Sequence, residues 1–486
     1  MLWSQTTVSL KRAGKLSLEK VGQEEVQKLK DSVWLIQGNT NIYCDSAYLN
    51  KLTNSAKAFG HVRIIDIVDP VNIQSDYLEY DGNTRIAKLR NNVIMKDDSV
   101  TLYTNNLDYN RNTSVGGYFN GGKLVDAQNE LDSEFGFYNT QTKGSEFFQN
   151  VVMENPEFDL ETDTLYYNSL TSLARTKGKT LGITIDSDTL RTDKGLIYNR
   201  IKKYSEIYEG NISNVDFYIE AETIIANDSL QTYSAKQQIK MISKPDSLTI
   251  YGDQGNYSKL KKTALVYENA YLRKMMEGDS LFLSADTLYS NQFDESNKYL
   301  TAYHDVKMFK SNMQGVADSV SYNFSDSTIY MYVDPIIWAQ DSQISADSIN
   351  IEIKESKIDK MNLTKNSFVI QRDSAGNYNQ VKGRNMIVYF DGSYISKTDV
   401  TGNGESIYHI KEATGAMSMN KIKCSNMTLY FRRSAVIEIR TYREVDGQVK
   451  PEFEIDPIDR RLRGFQWQLD RKPQLRQVAR HLRYDR

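Results

Sequence analysis

The chain has 486 residues and a formal charge of -3, from 60 basic and 63 acidic side chains. That balance argues against a surface built to hold nucleic acid. Hydrophobic residues make up 40%, mean hydropathy is -0.56, and no run nears the roughly 18 to 20 apolar residues of a membrane-spanning helix.

The composition points to strands. Tyrosine is abundant at 32 and proline scarce at 7. Tyr favours pleated strands, and the Asn, Asp and Ser between short apolar groups favour the turns that join them. The two cysteines, Cys44 and Cys424, are too few for a disulfide scaffold and fit no zinc spacing. The opening MLWSQTTVSLKRAGK holds no apolar core with a cleavage site, so an exported form would have lost its leader or the start is truncated.

Along the chain one phrase recurs: an acidic or amide anchor, an apolar residue two positions on and a tyrosine two beyond that. SDYLEYDGN carries it at Asp76, Leu78 and Tyr80, and TDTLYYNSL at Asp163, Leu165 and Tyr167. The anchors are Asp45, Asp76, Asn105, Glu134, Asp163, Lys194, Glu222, Asp253, Asp286, Asp318, Asp347, Asn385 and Asn426, with Gly14 starting a plausible extra copy. Up to Asp347 they stand 28 to 33 residues apart. A sustained period near 30 is the mark of a repeat array. About 17 residues after an anchor comes an apolar residue behind Asn or Gly, such as Val93 after two asparagines. Each repeat therefore reads as two strands joined by a polar turn.

Side chains on a strand alternate, so the phrase puts its apolar and Tyr positions on one face and Glu79, Asp108 and Thr164 on the other. One apolar and one wet face describe an antiparallel sheet. Thirteen or fourteen units of that size cannot each build a core, so they must stack. The predicted organisation is an N-terminal capping repeat at 1–43, regular repeats at 44–360, C-terminal repeats with longer loops at 361–455, and a basic tail at 456–486 that is poorly ordered or helical.

The recurring A-D-x-L-x-Y phrase with its following G/N-N-V strand resembles the OstA-like family of lipopolysaccharide-transport proteins. NIYCDSAYL (41–49), ISADSINI (344–351), Asn92–Val93 and Asn211–Ile212 carry the resemblance, and the ending LRGFQWQLDRKP looks like the larger members of the Bacteroidota type. The resemblance implies an all-β fold, an elongated open β-jellyroll, V-shaped in section, with stacked antiparallel strands and an apolar groove. It implies periplasmic carriage of lipopolysaccharide or another glycolipid toward the outer membrane, in association with the outer-membrane translocon, with inner-membrane transport components and, end to end, with further copies. The groove candidates are Leu78, Tyr80, Leu107, Tyr109, Tyr138, Leu165, Tyr167, Ile224, Tyr257, Leu288, Val320, Tyr322, Ile349, Ile387 and Tyr389.

The residues alone leave a second reading open, a structural or adhesive β-solenoid in which the same stripe packs on itself. An enzyme finds little support. The four histidines form no H-x-x-H pattern, the acidic IDSDTLRTDKG lacks the glycine and closing glutamate of a calcium loop, and no cofactor is expected.

Overall fold

The computed structural model describes residues 6–22, 24–68, 71–276, 278–292, 298–355, 357–411, 415–433 and 435–479. They hold 35 strands, joined antiparallel, and almost no helix. The all-β jellyroll of stacked antiparallel strands is thus the observed fold. The chain divides into two units, Met1–Asn214 with Glu222–Ser229, and Val215–Ala221 with Leu230–Arg486.

Between residues 40 and 184 of the first unit each repeat contributes two strands of ten to twelve residues, for example Asn72–Asp81 and Ile86–Lys96. The strand ends explain the wealth of Asn and Asp. Asp81, Asn110 and Asn139 each accept the backbone N–H two residues on, at 2.8, 2.9 and 2.9 Å. Asp97, Asp126 and Asn155 do the same at the opposite ends, each at 2.8 Å. Such turns let a short polar side chain stand in for a backbone acceptor.

These strands are also broken in the middle. Opposite Asp76 the ladder slips, with Tyr77 facing Phe59 and Ser75 facing Val62. The same slip falls at Asp45, Asn105, Glu134 and Asp163. On the returning strand it takes two residues in left-handed backbone, Asn91 (φ 64°) with Asn92 (φ 51°), or Gln149 (φ 63°) with Asn150 (φ 52°). Asn tolerates that region better than most residues. The asparagines before Val93 and Val151 are therefore corners inside a strand, where a turn between strands was expected.

A bulge bends a strand and supplies one extra residue. Here the extra residue resets the alternation: Ile73 and Ser75 are buried before Asp76, Leu78 and Tyr80 after it. Each strand thus has a first limb, such as Asn72–Ser75, and a second limb, such as Tyr77–Asp81, and both keep their apolar side inward.

In the second unit the longer anchor spacing enters the strands themselves. Lys357–Arg372, Tyr378–Asp391, Tyr394–Lys411 and Met417–Arg432 run 16, 14, 18 and 16 residues. The loop expected around 372–380 is only the turn at 373–377.

Among its described residues the C-terminal segment has a four-residue α-helix, Leu475–Val478. It runs back along the outward side of the first limbs of this unit. Ile455 and Leu462 pack on Phe368, Ile370, Ile407 and Met419. Gln343 donates to the Gln466 carbonyl at 2.7 Å and accepts the Gln468 N–H at 2.8 Å. Val478 and Ala479 pack on Tyr271 and Phe282. Apolar surface beneath this strap holds it in an extended path, so the basic stretch that reads as a loose tail is a cover. Residues 480–486 of that stretch lie outside the described residues.

Candidate functional site: the inward apolar face and its seam

The corners fix which side chains point inward. Just before the bulged residue stands a small residue: Cys44, Ser75, Thr104, Ser133 and Thr162 in the first unit, and Gly252, Ala317, Ala346, Gly383 and Cys424 in the second. Their polar atoms reach over the bulge. Ser75 and Ser133 donate to the carbonyls of Tyr77 and Phe135 at 3.0 and 2.9 Å, and Cys424 Sγ to that of Asn426 at 3.1 Å. Space there is short, since a Cβ on Gly383 would stand 2.3 Å from the Val400 side chain. Both cysteines are buried free thiols filling this slot. Burial pushes the Cys44 thiol up to about 12, so neither proton loss nor crosslinking suits it.

The slot makes a prediction. Ser75→Leu is expected to cost about 2 kcal/mol through overpacking, whereas Ser75→Cys should stay within about 1 kcal/mol because cysteine already fills the equivalent place. Urea unfolding of the two variants checks the difference; equal losses would deny the slot its steric meaning.

Leu78, Leu107, Leu165, Ile224 and Ile349 have no exposed surface, and Tyr80, Tyr109, Tyr138, Tyr167, Leu288 and Val320 are buried as well. Tyr257 and Tyr322 are only half-buried. Ile387 and Tyr389 need correction: Met386 and Val388 take the inward places, and the Tyr389 ring lies outward under Lys397, 4.9 Å from its Nζ. The bulged residue in that strand is Arg384, one position before the Asn385 that resembles an anchor. Tyr430 is out of phase for the same reason, since Ser425 takes the corner and Met427 and Leu429 point inward. Reading the anchor phrase alone also misses the inward residues of the first limbs, such as Ile42, Ile73, Leu102 and Leu131.

In the first unit the tips of the two limbs are tied by side chains. The Tyr80 hydroxyl donates to Gln37, and Gln37 Nε2 donates to the Gly82 carbonyl at 2.7 Å. Arg111 pairs with Asp66, with side chains only 13% and 10% exposed. Tyr138 donates to Asp97 Oδ2 at 2.5 Å, and Lys143 Nζ donates to the same oxygen at 2.9 Å. Tyr167 donates to Asp126 at 2.5 Å and Tyr198 to Glu157 at 3.2 Å. Burial and the neighbouring carboxylates push the Tyr138, Tyr167 and Tyr198 hydroxyls well above the ordinary tyrosine value, so they remain donors. This seam spans the side that the family resemblance implies to be open. The tyrosine hydroxyl at the end of the second limb reaches a turn acceptor on the first.

With the repeat, the corner and the seam in view, the comparison with known families is informative. Residues 5–163 match the family described as OstA-like protein. Over these residues the chain is similar to that family. No curated protein matches it. The OstA-like region holds the corners from Asp45 to Asp163 and the seam pairs from Gln37–Tyr80 to Asp97–Tyr138.

Among the described residues no group of three His, Cys, Asp or Glu side chains is placed to hold a metal ion. The histidines of the corners are bound locally: His61 Nδ1 lies 2.8 Å from the Asp45 carboxylate and His304 Nδ1 lies 3.4 Å from that of Asp318. His61 stands at the position from which Asn92 and Asn269 donate to Asp76 and Asp253, at 2.7 and 2.6 Å. The anchor carboxylate is therefore a partner for the residue that turns the neighbouring strand.

Proposed function

We propose that this OstA-like chain is a periplasmic carrier of lipopolysaccharide or a related glycolipid, with acyl chains housed between the limbs on their way toward the outer membrane. One observation supports this above the others. Within each unit the inward face is apolar, and in the first unit the limb tips are joined by side chains. Side-chain pairs can part without breaking a strand ladder, and a chain entering behind them gains about 0.8 kcal/mol per buried CH₂. The tyrosines suit both states, with a ring for the apolar interior and a hydroxyl for the rim.

The end strands suit docking partners. Ser9–Arg12 and Lys15–Val21 pair only with Glu24–Gln37 among the described residues, and Ala435–Tyr442 and Asp446–Pro451 only with Met417–Arg432. Unpaired edges accept a strand from another chain. The first pair runs from first limb to second and the last pair runs the other way, so a second copy, a translocon or an inner-membrane component could extend the antiparallel order.

A structural solenoid with a permanently closed core is the second reading. The complete burial of Leu78, Leu107 and Leu165 favours it. Titration with a fluorescent lipid A analogue separates the two. Saturable binding, lost in Leu165→Asp and Leu288→Asp, is expected of a carrier. Unchanged binding in both variants, or none in the wild type, would sink the carrier reading.

A further inference from the structure

The second unit holds a partly open cavity of about 350 Å³. Its position follows from the limb tips. Lys298 Nζ reaches Asp246 Oδ1 at 2.5 Å, and Asn312 Nδ2 reaches Ser393 Oγ at 2.7 Å. The cavity lies at the tips near the first of these ties, between the turn at Asp246–Leu248 and the end of the strand Met313–Asn323. Leu272, Leu283, Met308 and Ile329 form its apolar wall. Leu272, Leu283 and Ile329 each keep 5% of their surface exposed, where Leu78, Leu107 and Leu165 of the first unit keep none. The volume falls at the small end of ligand pockets, roughly 300–1,000 Å³.

One residue breaks the apolar alternation there. Lys274 pairs with Leu248 on one side and Leu281 on the other, both inward positions. Its ammonium donates to the Asp246 carbonyl at 3.0 Å and lies 5.8 and 5.7 Å from the Tyr322 and Phe324 rings. The Asp246 carboxylate is already held by Lys298. Among the described residues no carboxylate forms an ion pair with Lys274, and Glu355 stands exposed at the rim. Burial lowers the Lys274 pKa from its ordinary value. An ammonium half-withdrawn from water is costly unless an anion meets it, and leucine would fill the same inward place at no such cost.

We propose that this cavity binds one acyl chain of an amphiphile whose anionic end, a carboxylate or a phosphate, is held by Lys274. The proposal rests on the carrier reading only in placing lipid inside the fold. It adds a position, a chain number and a charge. The wall takes the chain, the aromatic rings line the mouth, and the ammonium selects the end group.

Calorimetric titration of the full chain tests it with dodecanoate, dodecyl phosphate, dodecanol and inorganic phosphate. Dodecanoate and dodecyl phosphate should bind one per chain, at least tenfold tighter than dodecanol, while inorganic phosphate alone should not compete. Lys274→Gln, at a half-exposed rim position, should abolish the preference for the charged ligands and leave dodecanol unaffected. Met308→Trp should block every chain. No binding, competition by inorganic phosphate, or a preference that survives Lys274→Gln would overturn the proposal. Failure of the lipid A titration with dodecanoate still bound would strike the carrier reading alone; the converse would strike the cavity alone.

Discussion

Deleting Asp76 is expected to destabilise the fold by several kcal/mol, whereas Asp76→Ala should cost about 1 kcal/mol or less. Asp76 is exposed and its carboxylate accepts a hydrogen bond from Asn92, a bond of the modest kind. Its presence as an extra residue matters more than its side chain. It lets Ile73 and Ser75 face inward on one side of the corner and Leu78 and Tyr80 on the other. Without it a straight strand keeps one phase throughout, and one pair must turn to water. Exposing Leu78 and Tyr80 forfeits about 1.5–3 kcal/mol for each side chain. Urea unfolding of the two variants makes the comparison. Equal stability in both would mean that the corner is held by its hydrogen bond and that the count of residues is irrelevant.

Asp97→Ala should be the most damaging single substitution in the seam. Its carboxylate is almost wholly buried, at 1% side-chain exposure, and takes both the Tyr138 hydroxyl and the Lys143 ammonium. Removing one partner of a buried pair costs about 3–5 kcal/mol. The lower end applies, because Lys143 keeps Asp98 at 2.5 Å. Acid should act on the same group. Burial raises the Asp97 pKa, but hydrogen bonds from Tyr138, Lys143 and the N–H groups of Ser99 and Val100 outweigh it and hold the carboxyl below its ordinary value. A depressed carboxyl contributes its stability above the unfolded value of about 3.9 and loses it as pH falls through the folded one. Melting temperatures between pH 7 and pH 3 should therefore fall more steeply for the wild type than for Asp97→Ala. Parallel curves would remove Asp97 from the seam's acid response.

The repeat, its antiparallel strands and most of its inward face were legible because an alternation of two survives any tertiary context that buries one side. Leu78, Leu107 and Leu165 lie where that alternation puts them. The first limbs were not legible from the same phrase, because the bulge at Asp76 breaks the count and Ile73 falls out of phase with Leu78. Asn385 and Asn426 misled for a related reason. An amide beside a corner resembles an amide in it, and the bulged residues are Arg384 and Ser425. The alanine of the A-D-x-L-x-Y phrase was visible in the sequence. Its meaning, a place too tight for a large side chain, depends on contacts such as that at Gly383. The seam was invisible. Tyr138 and Asp97 are 41 residues apart, and no local pattern ties a tyrosine at the end of one limb to a turn on the other. The strap over Ile407 and Met419 was missed because a basic stretch with scattered aromatics has no period, and its order comes from the surface beneath it.

The central claim is that lipid reaches the inward face. A photoreactive benzophenone side chain placed at 165 or at 166 tests it most directly, in cells that make lipopolysaccharide. Leu165 faces fully inward, while Tyr166, its neighbour on the same strand, faces outward and is 37% exposed. The carrier account predicts lipopolysaccharide adducts from position 165 and few or none from 166. Adducts from 166 alone, or from neither position in a chain that is folded and exported, would contradict it.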